Sequence, residues 1–197
     1  MHKIVAGLIF LLLNTPLFAA VQSKTIEYQD DGVTLTGYLY WDDAVQGARP
    51  GVLVIHEWWG LNDNIRAMAE RLAAEGYIVL AVDLFGGQAA TNPEAARQLM
   101  LRAVENRDSV TSNIQQAYAF VSNTAGAPRI ASLGWCFGGG WSLNTAMLFP
   151  TELDAAVIYY GRLVTDPTAL EPIRARLLGV FGNEDQGIPP EVVDEFA

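Results

Sequence analysis

The sequence has 197 residues, of which 51% are hydrophobic and 17% charged, as in one globular domain rather than a disordered chain. A formal net charge of −10 without any Lys/Arg cluster excludes a nucleic-acid-binding protein that relies on phosphate contacts. The single cysteine, Cys136, excludes an intramolecular disulfide, so this residue is either a small buried side chain or a free thiol kept for its chemistry.

The first twenty residues have the pattern of a secretory signal peptide. His2 and Lys3 precede an uncharged apolar run at 4–13, and the small residues Ala19 and Ala20 follow where cleavage is expected. Because this apolar run is too short to span a bilayer, we expect a signal peptide at 1–20 and export to the periplasm, without stable membrane association afterwards. An uncleaved anchor is the alternative. A single domain at 21–197 would remain.

From residue 25 onward the hydrophobic pattern alternates between the strand period and the helix period. Strands are predicted at 25–30, 33–41, 51–56, 77–82, 129–133, 155–160 and 177–181. Helices are predicted from Asn62 or Asp63 to Gly76, at 93–105 and 108–122, and from Cys136 to Phe149. Strands that are apolar on both faces and alternate with helices predict an α/β fold, with a mostly parallel sheet covered by helices on both faces.

Polar and reactive residues follow several of the predicted strands. His56, Asp83, Cys136 and Asp185 all lie at or after the carboxyl end of a strand. In open α/β sheets, ligands bind beyond these ends, so we expect the functional site there.

The segment from Gly134 to Gly138 has the form Gly-x-Cys-x-Gly between a buried strand and a helix. This is the pattern of a nucleophile elbow, with Cys136 where serine is usual. A position at a helix N-terminus favours the thiolate and predicts a lowered pKa for Cys136, and the Phe137 N–H is a candidate oxyanion donor. A glycine-rich turn with an unreactive buried cysteine is the alternative.

This elbow resembles that of the dienelactone hydrolase family, whose members have the α/β-hydrolase fold. Four further blocks occur in the family's order, namely VIHEWWGLN at 54–62, VDLFG at 82–86, YYG at 159–161 and GNED at 182–185. The resemblance extends from about residue 25 to residue 197. It implies a hydrolase with a Cys-His-Asp triad and a small-molecule substrate, without metal or cofactor.

The resemblance also implies the roles of individual residues. Cys136 matches the nucleophile and Asp185 the acid, with the adjacent Glu184 as the alternative. Glu57 matches a glutamate that contacts the resting thiol and helps to form the thiolate when substrate binds. The Trp58 N–H would be the second oxyanion donor.

Aromatic residues near these positions predict an apolar substrate pocket, formed by Trp59, Phe85 and Trp135 together with Trp58. Packing at the top of the sheet is the alternative for these rings. His56 is the only histidine of residues 21–197. At the end of the first central strand, we expect it to brace the oxyanion loop, and a role as general base is the alternative.

The sequence departs from the family pattern in two places. The triad histidine should follow Asp185, after one more strand and before a final helix, but no histidine follows Cys136. We therefore expect a truncated sequence that lacks the last strand and helix. Gly87 also stands where family members that bind an anionic dienelactone have arginine, which puts that substrate in doubt.

The sequence therefore predicts an exported hydrolase that cleaves ester or lactone bonds through a cysteine nucleophile. A catalytically impaired fragment or a non-catalytic small-molecule-binding protein is the alternative, favoured by the missing histidine. A thiol redox protein is disfavoured, since Cys136 has no second cysteine to resolve a disulfide.

Overall fold

The computed structural model describes residues 21–197, in which seven strands form one sheet with helices packed on it. The strands are β1 (Val21–Asp30), β2 (Val33–Asp42), β3 (Gly51–Ile55), β4 (Ile78–Val82), β5 (Ile130–Trp135), β6 (Ala155–Tyr159) and β7 (Arg176–Val180). The helices are α1 (Asp63–Ala74), α2 (Pro93–Glu105), α3 (Arg107–Ala119), α4 (Phe137–Leu148), α5 (Pro167–Leu170) and α6 (Pro190–Phe196). The predicted signal peptide lies outside the described residues.

The strand order in the sheet is β1-β2-β4-β3-β5-β6-β7. β1 and β2 form an antiparallel hairpin through Asp31 and Gly32, and β2 also runs antiparallel to β4. The remaining pairs are parallel, which confirms the predicted α/β fold with a mostly parallel sheet. This arrangement brings the carboxyl ends of β3, β5 and β6 side by side.

The core lies on both faces of the central strands, because every residue of β3 and β4 is buried. Leu53 and Ile55 face the side covered by α3 and α4, whereas Val52 and Val54 face α1. The continuous apolar runs of these strands follow from burial on both faces.

The β7 end of the sheet is different, since all five residues of this edge strand are exposed. Leu178 is 55% exposed, and Leu177 and Val180 are exposed as well. A small cluster around Leu143 and Ile158 packs with the apolar side of α6. Among the described residues, β7 is therefore an edge strand with apolar side chains exposed.

The helices largely match the predicted ones. Asn62 caps α1 and Asn92 caps α2, each by accepting a hydrogen bond from a backbone N–H three residues later. The predicted helix at 108–122 is α3 followed by a π-helical turn at Phe120–Thr124, and the short α5 was not predicted. None of the helices within 21–197 has the length and apolarity to cross a membrane.

Candidate active site

Cys136 lies between β5 and α4 in a left-handed backbone conformation, with φ 55° and ψ −116°. Its N–H donates to the carbonyl of Tyr159 (3.0 Å), and its own carbonyl accepts from the Gly140 N–H (3.2 Å). A non-glycine residue in such a conformation costs about 1–3 kcal/mol and persists only where its surroundings hold it. The sharp turn expected of a nucleophile elbow is therefore present.

Direct backbone packing holds this turn in place. A Cβ atom at Gly134 would overlap the Gly138 carbonyl, and one at Gly138 would overlap the carbonyl oxygens of Ile55 and His56. The first turn of α4 can therefore lie against the ends of β5 and β3 only because Gly134 and Gly138 have no side chain. This contact brings the loop after β3 to the thiol.

Two backbone amides and two carboxylates surround the thiol. The backbone amides of Phe137 and Trp58 favour the thiolate of Cys136, and the charges of Glu57 and Asp185 disfavour it. Burial raises the pKa of Cys136, and the two carboxylates raise it further, against the lowering effect of the two amides. The predicted lowering of this pKa is therefore wrong, because burial and the two carboxylates outweigh the two backbone amides. The resting thiol is neutral.

Glu57 has a hydrogen-bond partner beyond the end of β6, two strands away from β3 in the sheet. The Tyr160 hydroxyl donates to its Oε1 atom over 3.2 Å. Burial and the charge of Glu57 raise the pKa of Tyr160 to about 12, so this hydroxyl keeps its proton at neutral pH. Glu57, Tyr160 and Cys136 thus form one group at the ends of β3, β5 and β6.

His56 is fully buried and uses both ring nitrogens for backbone contacts. Its Nε2 accepts from the Leu84 N–H (3.1 Å), so the proton is on Nδ1, which donates to the Glu57 carbonyl (2.7 Å). Burial lowers the pKa of His56 and keeps the ring neutral. This geometry supports a bracing role, because the ring fixes the backbone of the loop that contains Glu57 and Trp58.

Asp185 lies in the loop between β7 and α6. Its Oδ1 accepts from the N–H groups of Gly187 (2.8 Å) and Ile188 (3.2 Å), and its charge reaches Cys136. Glu184 is exposed. The arrangement favours Asp185 over Glu184 as the acidic residue near the thiol.

A cavity of about 740 Å³ opens beside Cys136. One face of α4 forms its floor, with Phe137, Trp141 and Asn144 at helical spacing. The guanidinium of Arg107 lies 4.9 Å from the centre of the Trp141 ring. The rest of the wall comes from α2, the segment after β6 and the loop before α6, with Met100, Val104, Tyr160, Arg162, Leu163, Val164, Thr165, Asp166 and Ile188.

The comparisons with known proteins place this chain in a family. The model of the dienelactone hydrolase family matches residues 35–197. Protein usf of Aquifex pyrophilus is 32% identical over 180 residues, which are 88% of this chain and 77% of that protein. The chain belongs to the dienelactone hydrolase family.

Solved structures agree with this membership. The structure of m3DLH has a TM-score of 0.79 at 33% identity and covers 89% of this chain and 75% of its own. A dienelactone hydrolase-like promiscuous phosphotriesterase from metagenomic libraries also has a TM-score of 0.79, at 28% identity, over 90% of this chain and 77% of its own. The α/β-hydrolase fold is thereby confirmed.

The cavity of this dienelactone hydrolase family member differs from the predicted pocket, since Trp59, Phe85 and Trp135 are absent from its wall. Phe85 is buried against the rings of His56 (4.5 Å) and Phe137. Trp135 stacks on Tyr159 (5.8 Å), and Trp59 packs on Trp58 (5.1 Å). The alternative of packing at the top of the sheet describes these rings better.

Sequence reasoning missed Trp141 and Asn144, which line the cavity. A signal for them exists, because they follow Phe137 by four and seven residues and so share its helix face. Arg107 and Arg162 had no such signal, since only the tertiary fold brings them to the site. Within residues 21–197, no three His, Cys, Asp or Glu side chains are grouped so as to hold a metal ion.

Proposed function

We propose that this protein hydrolyses ester or lactone bonds of small molecules, with Cys136 as the nucleophile. The observation that supports this most directly is the strained elbow, where the only cysteine meets two backbone N–H groups beside a cavity. A neutral thiol at rest requires a base, and Glu57 is the carboxylate on the loop that also contributes Trp58. Membership of a hydrolase family is consistent with this chemistry.

In the proposed acylation, the Cys136 proton passes to the Glu57 carboxylate as the sulfur attacks the carbonyl carbon. The carbonyl π electrons move to the oxygen, which the Phe137 and Trp58 N–H groups stabilise. The C=O bond then re-forms and the C–O bond to the alcohol breaks. The departing alkoxide takes the proton from Glu57, which leaves a thioester on Cys136.

Hydrolysis of this thioester requires a base that activates water. The family resemblance assigns that step to a histidine after Asp185, whereas both ring nitrogens of His56 are occupied here. Because His56 is held by the backbone in this way, we expect acylation of Cys136 to be faster than deacylation. Water would add to the thioester carbonyl, release the carboxylic acid and return the proton to sulfur.

Pre-steady-state kinetics with 4-nitrophenyl acetate test this proposal. We expect a burst of one 4-nitrophenolate per protein, followed by slow turnover, and no burst from Cys136→Ala. A burst that survives in Cys136→Ala would remove Cys136 from the reaction. Fast multiple turnover that is lost in His56→Asn would make His56 the base.

A non-catalytic small-molecule-binding protein is the second candidate. The raised pKa of Cys136 and the occupied ring of His56 favour it. In that case 4-nitrophenyl acetate would produce no burst, while an unreactive amide analogue would still bind in the cavity and quench the fluorescence of Trp141.

We also propose export to the periplasm, on the basis of the apolar run at 4–13. N-terminal sequencing of the protein from a periplasmic extract should begin near residue 20 or 21. A chain that keeps Met1 and stays with the membrane fraction would indicate an uncleaved anchor.

A further inference from the structure

Tyr160 has an unusual backbone conformation, with φ 39°. Among residues 21–197, only Asp31, Cys136 and Tyr160 combine a side chain with positive φ. Asp31 lies in a hairpin turn, where this conformation is common, whereas Cys136 and Tyr160 both line the cavity. Strained residues cluster at functional sites, so the conformation of Tyr160 indicates that this residue has a function.

Two neighbouring elements hold Tyr160 in this conformation. Its N–H donates to the Val180 carbonyl of β7 over 2.8 Å. The next residue, Gly161, packs so closely on Gly139 and Gly140 that a Cβ atom there would overlap the backbone of α4. The backbone at Tyr160 is therefore held by β7 and by α4, the helix that Cys136 precedes.

The fixed ring points at Glu57. Although Tyr160 is 41% exposed, its hydroxyl reaches the Glu57 Oε1 atom at 3.2 Å, across 103 positions of sequence. The raised pKa of Tyr160, about 12, makes the hydroxyl a donor throughout the neutral range. The His56 ring (2.7 Å) and the Gly60 N–H (3.1 Å) both contact the backbone carbonyl of Glu57, and neither constrains its carboxylate.

We propose that Tyr160 is a positioning residue, whose hydroxyl holds the Glu57 carboxylate beside the Cys136 thiol so that it can accept the thiol proton. The inference rests on the proposed function and adds a residue to its acylation step. Tyr160 keeps its own proton, while the proton of Cys136 moves to Glu57. Without the hydroxyl, the Glu57 side chain is free to turn towards solvent.

The test uses Tyr160→Phe, which removes only the hydroxyl, and measures iodoacetamide alkylation of Cys136 against pH. Because the Glu57 charge raises the pKa of the thiol, its displacement should move the alkylation midpoint to lower pH. The burst rate with 4-nitrophenyl acetate at pH 7 should nevertheless fall about tenfold or more, since the proton acceptor is misplaced. We therefore expect Tyr160→Phe to lower the alkylation midpoint of Cys136 and to reduce the burst rate at the same time.

Other charged groups near the thiol stay constant in this comparison. Asp185 acts on Cys136 from the loop after β7. Arg107, Arg162 and Asp166 line the same cavity. Since Tyr160→Phe alters none of them, a shift of the midpoint that disappears when Glu57 is replaced by Gln reports on the Glu57 carboxylate.

Tyr118→Phe is the matched control. It removes a hydroxyl that donates to the Glu152 carbonyl (3.1 Å), outside the cavity wall. It should change neither the alkylation midpoint nor the burst rate. The same two measurements on Glu57→Gln and on the double variant complete a double-mutant cycle. In this cycle, Tyr160→Phe should have no further effect once Glu57 has been replaced by Gln.

An unchanged midpoint in Tyr160→Phe would overturn the proposal, even if the burst slowed, because Tyr160 would then act on the substrate rather than through Glu57. Additive effects in the double variant would overturn it as well. Absence of a burst from the unaltered chain would count against the hydrolase function. The alkylation midpoints need no substrate and would still decide whether Tyr160 acts on the thiol through Glu57.

Discussion

The nucleophile elbow and the loop that contains Asp185 lie at the ends of nearby strands but are held in different ways. At the elbow, Gly134 and Gly138 allow backbone to pack on backbone, and the adjoining strand β3 is wholly buried. The Asp185 loop follows the exposed strand β7 and is held by two hydrogen bonds from its own N–H groups. The conformation of the elbow therefore depends on packing in the core, whereas the conformation of the Asp185 loop depends mainly on hydrogen bonds within the loop.

Because of this difference, the groups that fix the position of the Cys136 thiol are not the same as the groups that influence its pKa. Buried backbone fixes where Cys136 lies, so changes there should cost stability. Burial raises the pKa of this thiol most, and the charges of Glu57 and Asp185 on the surrounding loops raise it further. Substitutions of these side chains should therefore change reactivity without unfolding the protein.

The largest expected effect is that of Gly138→Ala. The new methyl group would meet the carbonyl oxygens of Ile55 and His56, which are backbone atoms and cannot move aside. We expect a loss of at least about 3 kcal/mol in the free energy of unfolding. Urea denaturation measures it, with Gly182→Ala in the Asp185 loop as control, because a Cβ atom there meets nothing within 4 Å. Equal losses in both variants would refute the distinction between the regions.

The second effect is that of Glu57→Gln on reactivity. Loss of the proton acceptor should slow acylation by 4-nitrophenyl acetate about 10²-fold, within the usual range for acid–base catalysis. The alkylation midpoint of Cys136 should move to lower pH, because a negative charge that raises its pKa is gone. The exposed Glu70 on α1 provides the control Glu70→Gln. Unchanged kinetics would remove Glu57 from the mechanism.

A smaller shift is expected from Asp185→Asn. Among the causes that raise the pKa of Cys136, the charge of Asp185 contributes less than burial and Glu57. The alkylation midpoint should move to lower pH, but by less than in Glu57→Gln. The exposed neighbour serves as control, and Glu184→Gln should leave the midpoint in place. A larger shift from Glu184→Gln would exchange the roles of the two carboxylates.

The smallest effect is expected at the β7 edge. Leu178 is 55% exposed, so Leu178→Lys should change the free energy of unfolding by less than about 0.5 kcal/mol. The added charge should reduce self-association through the open edge, as measured by light scattering. Leu53→Ala in β3, at a fully buried position, should cost about 2–5 kcal/mol. A comparable loss in Leu178→Lys would mean that β7 is covered in solution.

Much of the fold could be predicted because its signals are local. The apolar runs of β3 and β4 reflect burial on both faces, and Asn92 with Pro93 marks the start of α2. The nucleophile elbow could be predicted because the strand, the Gly-x-Cys-x-Gly motif and the helix follow one another directly in the sequence. Short α5 was missed, since four residues show no helical period.

The site was less predictable where it depends on long-range contacts. Tyr160 lies in a recognised motif, yet its contact with Glu57 spans 103 positions. The rings of Phe85 and Trp135 are predicted to line the pocket, but Phe85 is buried against His56 and the half-buried Trp135 stacks on Tyr159. The raised pKa of Cys136 follows from burial and from two distant carboxylates, and neither is visible in the local sequence.

The central claim is that Cys136 is the nucleophile of an acyl-transfer reaction. Intact mass spectrometry tests it most directly, after brief exposure of the unaltered chain to 4-nitrophenyl acetate and acid quenching. We predict one added acetyl group, located on the peptide that contains Cys136 and released by neutral hydroxylamine, as a thioester should be. An unmodified chain, or an acetyl group on another residue while Cys136 stays free, would contradict the account.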